Sequence, residues 1–365
     1  MKHSPLFTQH EALGAQFQLI GDWEIPAHYG NATEEHLAVR QGVGIADLSL
    51  RGLNRITGDD RVAWLQNLIS NDIRPLTAGQ GLYSAFMDHK GKMLSYFRVL
   101  LLEDSIMLED AGEVGDMTYQ HLRKFLLFGT KAKMENCLES WGTLLLSGPS
   151  APDLIQQAFS IDMASSKPLD LHVTEREGQT AIFVKTEETG EHDIEIHMPN
   201  AGLVSSWERL WAVGKPLGLR AIGQSALESL RLEAGIPKIG PDLNERIVPP
   251  EANLEGKAFS LTKGCYPGQE VVARMDTYGS VKRRLVGLLI DSPDNHLPEP
   301  GAKIFSGDRE VGWVSSAAVS PLLKKPIAFG FPLRDFTKPQ TELLVACGEE
   351  RYPAVVHALP FALPQ

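Results

Sequence analysis

Arg284-Leu285-Val286-Gly287-Leu288-Leu289-Ile290 marks the point at which the helical signals of this 365-residue chain stop. Downstream, Ala302–Phe305, Glu310–Ser315, Pro326–Phe331 and Glu342–Cys347 are short β-rich runs separated by Gly- and Pro-bearing turns. That spacing predicts a small C-terminal β-barrel or sandwich. Upstream of Arg284, helices and strands are mixed. Apolar stripes of helical period predict helices from Asp59 (Val62, Leu65, Leu68, Ile69), through Met117, Leu122 and Leu126, and from Asn200 to a stop at Gly214. Ser150-Ala151-Pro152-Asp153 has the pattern of a capping box with an early proline. Strands are predicted at 93–102, 105–109, 143–147, 180–185, 193–197 and 284–290. Strict strand–helix alternation is missing, so the expected class is α+β and not a doubly wound sheet. No G-x-G-x-x-G follows a strand, and neither a P-loop motif nor H-E-x-x-H occurs, which removes dinucleotide, P-loop and zincin readings.

The chain is long for one core and suits two or three domains. With 43% hydrophobic and 22% charged residues and no apolar run of spanning length, it reads as an ordinary globular protein without a membrane partner. Met1 to His10 carries no long apolar stretch after its lysine, so no secretory signal is read and a cytoplasmic location is expected. Cys137, Cys265 and Cys347 are odd in number, far apart and free of any C-x-x-C pair, which argues for reduced thiols over a disulfide framework or a zinc knuckle. A net charge of -11 without a basic stripe argues against nucleic acid as a partner.

Against that acidic background, Lys263-Gly264-Cys265-Tyr266-Pro267-Gly268-Gln269-Glu270 places a cysteine beside a lysine in a glycine-bracketed loop, with Arg274, Lys282, Arg283 and Arg284 following. A nearby cation favours thiolate, so Cys265 is a candidate reactive residue with Lys263 as modulator of its thiol. An inert, buried cysteine in an ordinary turn is the competing reading. In Asp193-Ile194-Glu195-Ile196-His197, alternation sends the isoleucines to one face and the polar side chains to the other, so Glu195 is expected to be presented and not buried. It is either a solvated strand face or a carboxylate that accepts parallel N–H donors from a guanidine-like heterocycle edge. Helical spacing in Leu227–Ala234 sets Arg231 against the apolar side, where it either snorkels or pairs with a buried or ligand carboxylate. His192 and His197 are oddly spaced on a strand and fall on opposite faces, which argues against a metal pair.

Together these residues resemble the glycine-cleavage T-protein (aminomethyltransferase) family and, at the cysteine loop, its YgfZ-type folate-binding relatives implicated in iron–sulfur protein maturation. The similarity runs nearly end to end: Gly21–Pro26, His28-Tyr29-Gly30, Glu35–Arg40 and Asn71-Asp72 match the family's opening, as do Leu230–Pro237 and the tail from Ser315 to Phe361. The resemblance implies a three-domain cloverleaf around a central opening for tetrahydrofolate. It divides the chain into 1–54 plus 145–245, 55–144 plus 246–283, and a C-terminal barrel over 284–365. It implies Glu195 as the pterin-binding carboxylate, Arg231 and Tyr83 as folate contacts, and Asn71 as a further contact. Two departures matter. The family's Asp-Asp pair, source of its catalytic carboxylate, is Ser95-Tyr96 here, and the loop motif K-G-C-[FY]-x-G-Q-E of the YgfZ-type relatives is complete. The resemblance thus implies a tetrahydrofolate-binding accessory protein that uses Cys265 on iron–sulfur clients or assembly partners. The alternative is a folate-dependent aminomethyl- or methyltransferase or demethylase with a replacement acid, for which Asp88 is the candidate.

Overall fold

The computed structural model describes residues 1–110, 115–176, 178–278 and 281–361. Beside a small three-stranded sheet of Lys2–His3, Trp23–His28 and Gln16–Ile20, three larger β assemblies organise the chain. The first is a six-stranded sheet in the order Leu171–Arg176, Gln179–Thr186, Asp193–Pro199, Trp141–Ser147, Gly44–Asp47, Arg220–Ala221. The second is a five-stranded antiparallel sheet, Gln80–Met87, Met93–Leu101, Ser105–Asp110, Leu53–Thr57, Lys133–Asn136. The chain therefore leaves the first sheet after Asp47, builds the second, and returns at Trp141. The third assembly is a closed six-stranded barrel between Val286 and His357, so the fold is α+β with a C-terminal barrel. Edge-free closure explains why this segment needs no helices to protect it.

The six- and five-stranded sheets are each covered on one face by helices. Ile194, Ile196, Phe183, Leu144 and Leu146 pack with the helices Ala151–Phe159 and Asn200–Gly214 into one core. Ile56, Phe97, Val99, Ile106 and Leu108 form a second core under Arg61–Gln66 and Met117–Leu122. The opposite faces of both sheets turn toward each other and toward the barrel, where Tyr83, Tyr96, Ile182, Val184 and Phe329 belong to one shared cluster. This convergence places polar side chains of two sheets in the middle of the molecule.

The helix expected from Asp59 is shorter than its apolar stripe, because Arg61–Gln66 ends in a turn and Leu68 and Ile69 pack from the loop beyond. Ser150 makes no side-chain cap, contrary to the capping-box pattern, although the early proline is where a helix tolerates it. The last barrel strand, Glu350–His357, carries no clean alternation in sequence and went unpredicted.

Candidate functional site

Where the three assemblies meet there is a cavity of about 710 Å³, with walls drawn from all of them. Arg51, Glu187 and Glu188 come from loops of the first sheet, Tyr83 and Tyr96 from neighbouring strands of the second, and Arg284 from the entry to the barrel. The two tyrosine rings stack with centroids 5.6 Å apart and 12° between planes, and the Lys257 ammonium stands 4.5 Å from the Tyr83 ring centre. Burial pushes both phenols upward in pKa, so they are neutral donors at physiological pH. Of the pair Ser95-Tyr96, it is Tyr96 that faces the cavity; the Ser95 hydroxyl instead meets His121 Nδ1 at 3.2 Å. No carboxylate stands at either position.

Directly behind this wall lies a buried charge cluster. Strand register puts Arg98 opposite Glu109, and Glu195 faces both from the first sheet. Arg98 has no exposed surface; its Nη2 donates to Glu195 Oε1 and Oε2, each at 2.8 Å, and lies 2.6 Å from Glu109 Oε1. Arg51 reaches Glu195 Oε1 at 3.4 Å and Glu188 Oε2 at 2.8 Å, while Arg98 Nη1 lies 3.4 Å from Glu188 Oε1. Burial raises the Glu195 carboxyl above its ordinary range, Glu109 adds to that rise, and the two guanidiniums oppose it. His197 donates to or accepts from Thr143 Oγ1 at 2.9 Å, and burial lowers its pKa to about 4, so it is neutral. Glu109, Glu195 and His197 each offer an atom within 4.8 Å of the others, the spacing of a metal site among the described residues. The Arg98 guanidinium already supplies the cation between those carboxylates.

Glu195 therefore departs from its expectation: it is fully buried, not presented. Alternation did send it to the face opposite the isoleucines, but that face is covered by the second sheet and not by water. Arg231 lines the cavity, yet all its N–H groups have protein partners: Glu228 for Nε and Nη2, Asp242 and the Ile236 carbonyl for Nη1, and Ser316 for Nη2. Of the two sequence alternatives, pairing is the one observed, with the buried Asp242 and the half-buried Glu228, and the Ser316 contact ties the helix Gln224–Glu233 to the barrel.

Tyr83 is in the cavity wall. Asn71 is not. Its amide donates to the Tyr83 and Lys257 carbonyls, at 2.9 and 3.0 Å, so it clamps together two segments that do line the cavity. Asp88 also lies outside the lining; its Oδ1 accepts from the Lys90 and Lys92 backbone in the turn between two strands, a conformational role typical of aspartate in turns.

The Cys265 loop sits apart from the cavity lining. Its sulfur is exposed, whereas Cys137 and Cys347 are buried. Lys263 turns inward: its Nζ donates to the carbonyls of Gln66, Ile69 and Asn71 at 2.6, 2.6 and 3.0 Å, at the end of the helix Arg61–Gln66 and in the segment beyond it. Burial lowers its pKa to about 8. The ammonium that the sequence sets beside the thiol is thus committed to three backbone carbonyls. Tyr266 donates to the Ser260 carbonyl at 3.0 Å, and Gly268, at φ +80°, packs so tightly on the Asp88–Gly91 turn that a Cβ would come within 2.7 Å of backbone atoms. The residues around Cys265 thus hold the loop down while the thiol points out.

Arg51, Glu187, Glu188 and Lys257 line the cavity and carry no expectation from the sequence. One signal was available: Arg98 interrupts the apolar run Met93–Leu101, and Glu109 ends Ile106-Met107-Leu108, and charges inside buried strands require partners.

Comparison with known proteins agrees with this architecture over its whole length. The GCVT N-terminal domain family matches residues 6–261, and the family described as glycine cleavage T-protein C-terminal barrel domain matches residues 283–362. The aminomethyltransferase of Geobacillus sp. (strain WCH70) is 31% identical, over 99% of this chain and 98% of the relative. That of Bacillus pumilus (strain SAFR-032) is 30% identical over the same shares. The crystal structure of glycine cleavage system aminomethyltransferase T from Bartonella henselae shares the fold, with a TM-score of 0.87 at 24% identity, covering 99% of this chain and 98% of that one. A full-length match in sequence to aminomethyltransferases, together with both domain signatures in the right order, makes this chain a member of the glycine-cleavage T-protein (aminomethyltransferase) family.

Proposed function

We propose that the central cavity binds tetrahydrofolate and that the chain acts in folate-dependent one-carbon transfer of the aminomethyl type. The observation that carries this is the cavity itself: three assemblies converge on a space of about 710 Å³, large enough for a drug-sized ligand. Its contents suit the molecule by chemistry. The stacked Tyr83 and Tyr96 offer apolar faces to a flat heterocycle, Glu187 and Glu188 offer acceptors to its amino donors, and Lys257 and Arg284 offer charge to the carboxylates of its tail. Bound folate would supply the nitrogen pair that carries a one-carbon unit. The protein's share is to hold that nitrogen pair against the tyrosine platform, exclude water with the closing walls, and set a carboxylate beside developing positive charge. Asp88, the acid the sequence offers for that last role, lies outside the lining, whereas Glu187 stands in the wall next to Glu188. Incubation with tetrahydrofolate and a panel of small amine donors, followed by mass spectrometry, should yield methylene- or methyl-tetrahydrofolate. No product with any donor would refute the transfer.

A second reading is favoured by two observations: Tyr96, a neutral phenol, stands where the family's acid pair would face the cavity, and Cys265 is exposed on an anchored loop with the complete K-G-C-Y-x-G-Q-E motif. On that reading the chain is a YgfZ-type folate-binding accessory protein for iron–sulfur assembly or repair, with Cys265 meeting client or assembly proteins. The relatives' names speak for the transferase and are silent on iron–sulfur chemistry. Loss of iron–sulfur enzyme activities on gene deletion, restored by the parent chain and not by Cys265→Ala, is the expected result; restoration by both would remove the thiol's role. The interleaved three-domain division at 54, 144, 245 and 283 belongs to either reading.

A further inference from the structure

A carboxylate recognises a pterin by accepting parallel N–H bonds from its guanidine-type edge. In this chain the sequence-implied carboxylate, Glu195, already accepts such donors from within. Arg98 is itself a guanidinium, and one of its nitrogens lies 2.8 Å from each Glu195 oxygen, with Arg51 at 3.4 Å on Oε1. Glu195 has no exposed surface and is absent from the cavity lining. A ligand edge could reach it only by displacing a charged group that has two further carboxylate neighbours, Glu109 at 2.6 Å and Glu188 at 3.4 Å. Loss of that cation would leave Glu109 and Glu195 facing each other in a dry interior, which is strongly unfavourable.

Glu188 is the alternative acceptor. It lines the cavity beside Tyr83 and Tyr96, and Arg51 bonds its Oε2 at 2.8 Å. Its Oε1 has Arg98 Nη1 at 3.4 Å, a distance and geometry at which that nitrogen makes no hydrogen bond. Glu188 thus keeps lone pairs for a ligand while two cations hold its charge.

We propose that Glu188, and not Glu195, receives the guanidine-type edge of the heterocycle in this chain, Arg98 being a built-in occupant of the Glu195 fork. The inference rests on the cavity binding tetrahydrofolate. It is tested on the full chain by calorimetric titration with tetrahydrofolate and with an analogue lacking the 2-amino group, using the parent, Glu188→Gln, and the double variant Arg98→Met with Glu195→Leu. The double variant removes one charge of each sign, and its thermal melt reports folding. The parent should bind tetrahydrofolate at least tenfold more tightly than the analogue. Glu188→Gln should bind tetrahydrofolate about ten- to a hundredfold more weakly and lose that discrimination, while the double variant should stay within about threefold of the parent and keep it. Parent-like affinity in Glu188→Gln would overturn the inference and leave the folate reading standing; so would loss of binding in a folded double variant. Absence of binding by the parent would sink both.

Discussion

Replacing Arg98 by methionine keeps an unbranched apolar stem and deletes the charged guanidinium. Arg98 is fully buried, and its removal leaves Glu109, Glu188 and Glu195 with Arg51 as their remaining guanidinium, at 3.8, 2.8 and 3.4 Å. Breaking a buried pair from one side costs about 3–5 kcal/mol, and that is the deficit expected at pH 8. The deficit must also depend on pH. Burial already holds the Glu195 carboxyl above its ordinary range with Arg98 present, and the rise will be larger without it. A carboxyl whose folded pKa is raised takes up a proton on folding, so the penalty is absent below its unfolded pKa near 4.3 and grows as pH rises through the folded value, by about 1.4 kcal/mol per unit per proton. Urea unfolding followed by tryptophan fluorescence at pH 5 and pH 8 reads both quantities from the midpoint and slope. The variant should lose far more stability at pH 8 than at pH 5, and adding Glu195→Leu should recover at least half of the loss. A deficit below about 1 kcal/mol, or one equal at the two pH values, would refute the account of Arg98 as the cation that makes this interior tolerable.

Lys263→Met should free the carbonyls of Gln66, Ile69 and Asn71 from their donor; a cost of about 1–3 kcal/mol and faster amide exchange in residues 260–268 are expected, and unchanged exchange would contradict the anchoring role. An aromatic disulfide reagent should modify one thiol per native chain, Cys265, and all three after denaturation, since burial shields the others and pushes Cys137 up to about 11; fast modification of native Cys265→Ser would count against this. His197, lowered to about 4, stays neutral in the folded state while the unfolded state protonates below about 6.5. Stability contributed by this group is therefore lost as pH falls from 6.5 toward 4, by up to about 3 kcal/mol, and His197→Gln should flatten that part of the acid limb; an unaltered limb would contradict the neutral assignment.

The sequence by itself determined the local character of the elements and much of their order. Short β-rich runs parted by Gly- and Pro-bearing turns after Arg284 announced a β-only tail because strand propensity and turn residues are properties of neighbouring positions, and the stripe from Asn200 announced its helix for the same reason. It also flagged Cys265 and the missing acid pair, since a motif is legible without coordinates. Burial of Glu195 was beyond it. Alternation reports which face a side chain takes, but what covers that face depends on a sheet built from residues 53–136, and the partner Arg98 lies 97 positions away. The inward turn of Lys263, the five-donor engagement of Arg231 and the choice of Tyr96 over Ser95 for the cavity were decided the same way. Charge needs a counter-charge at a few ångströms, and only the packing of distant segments supplies that distance.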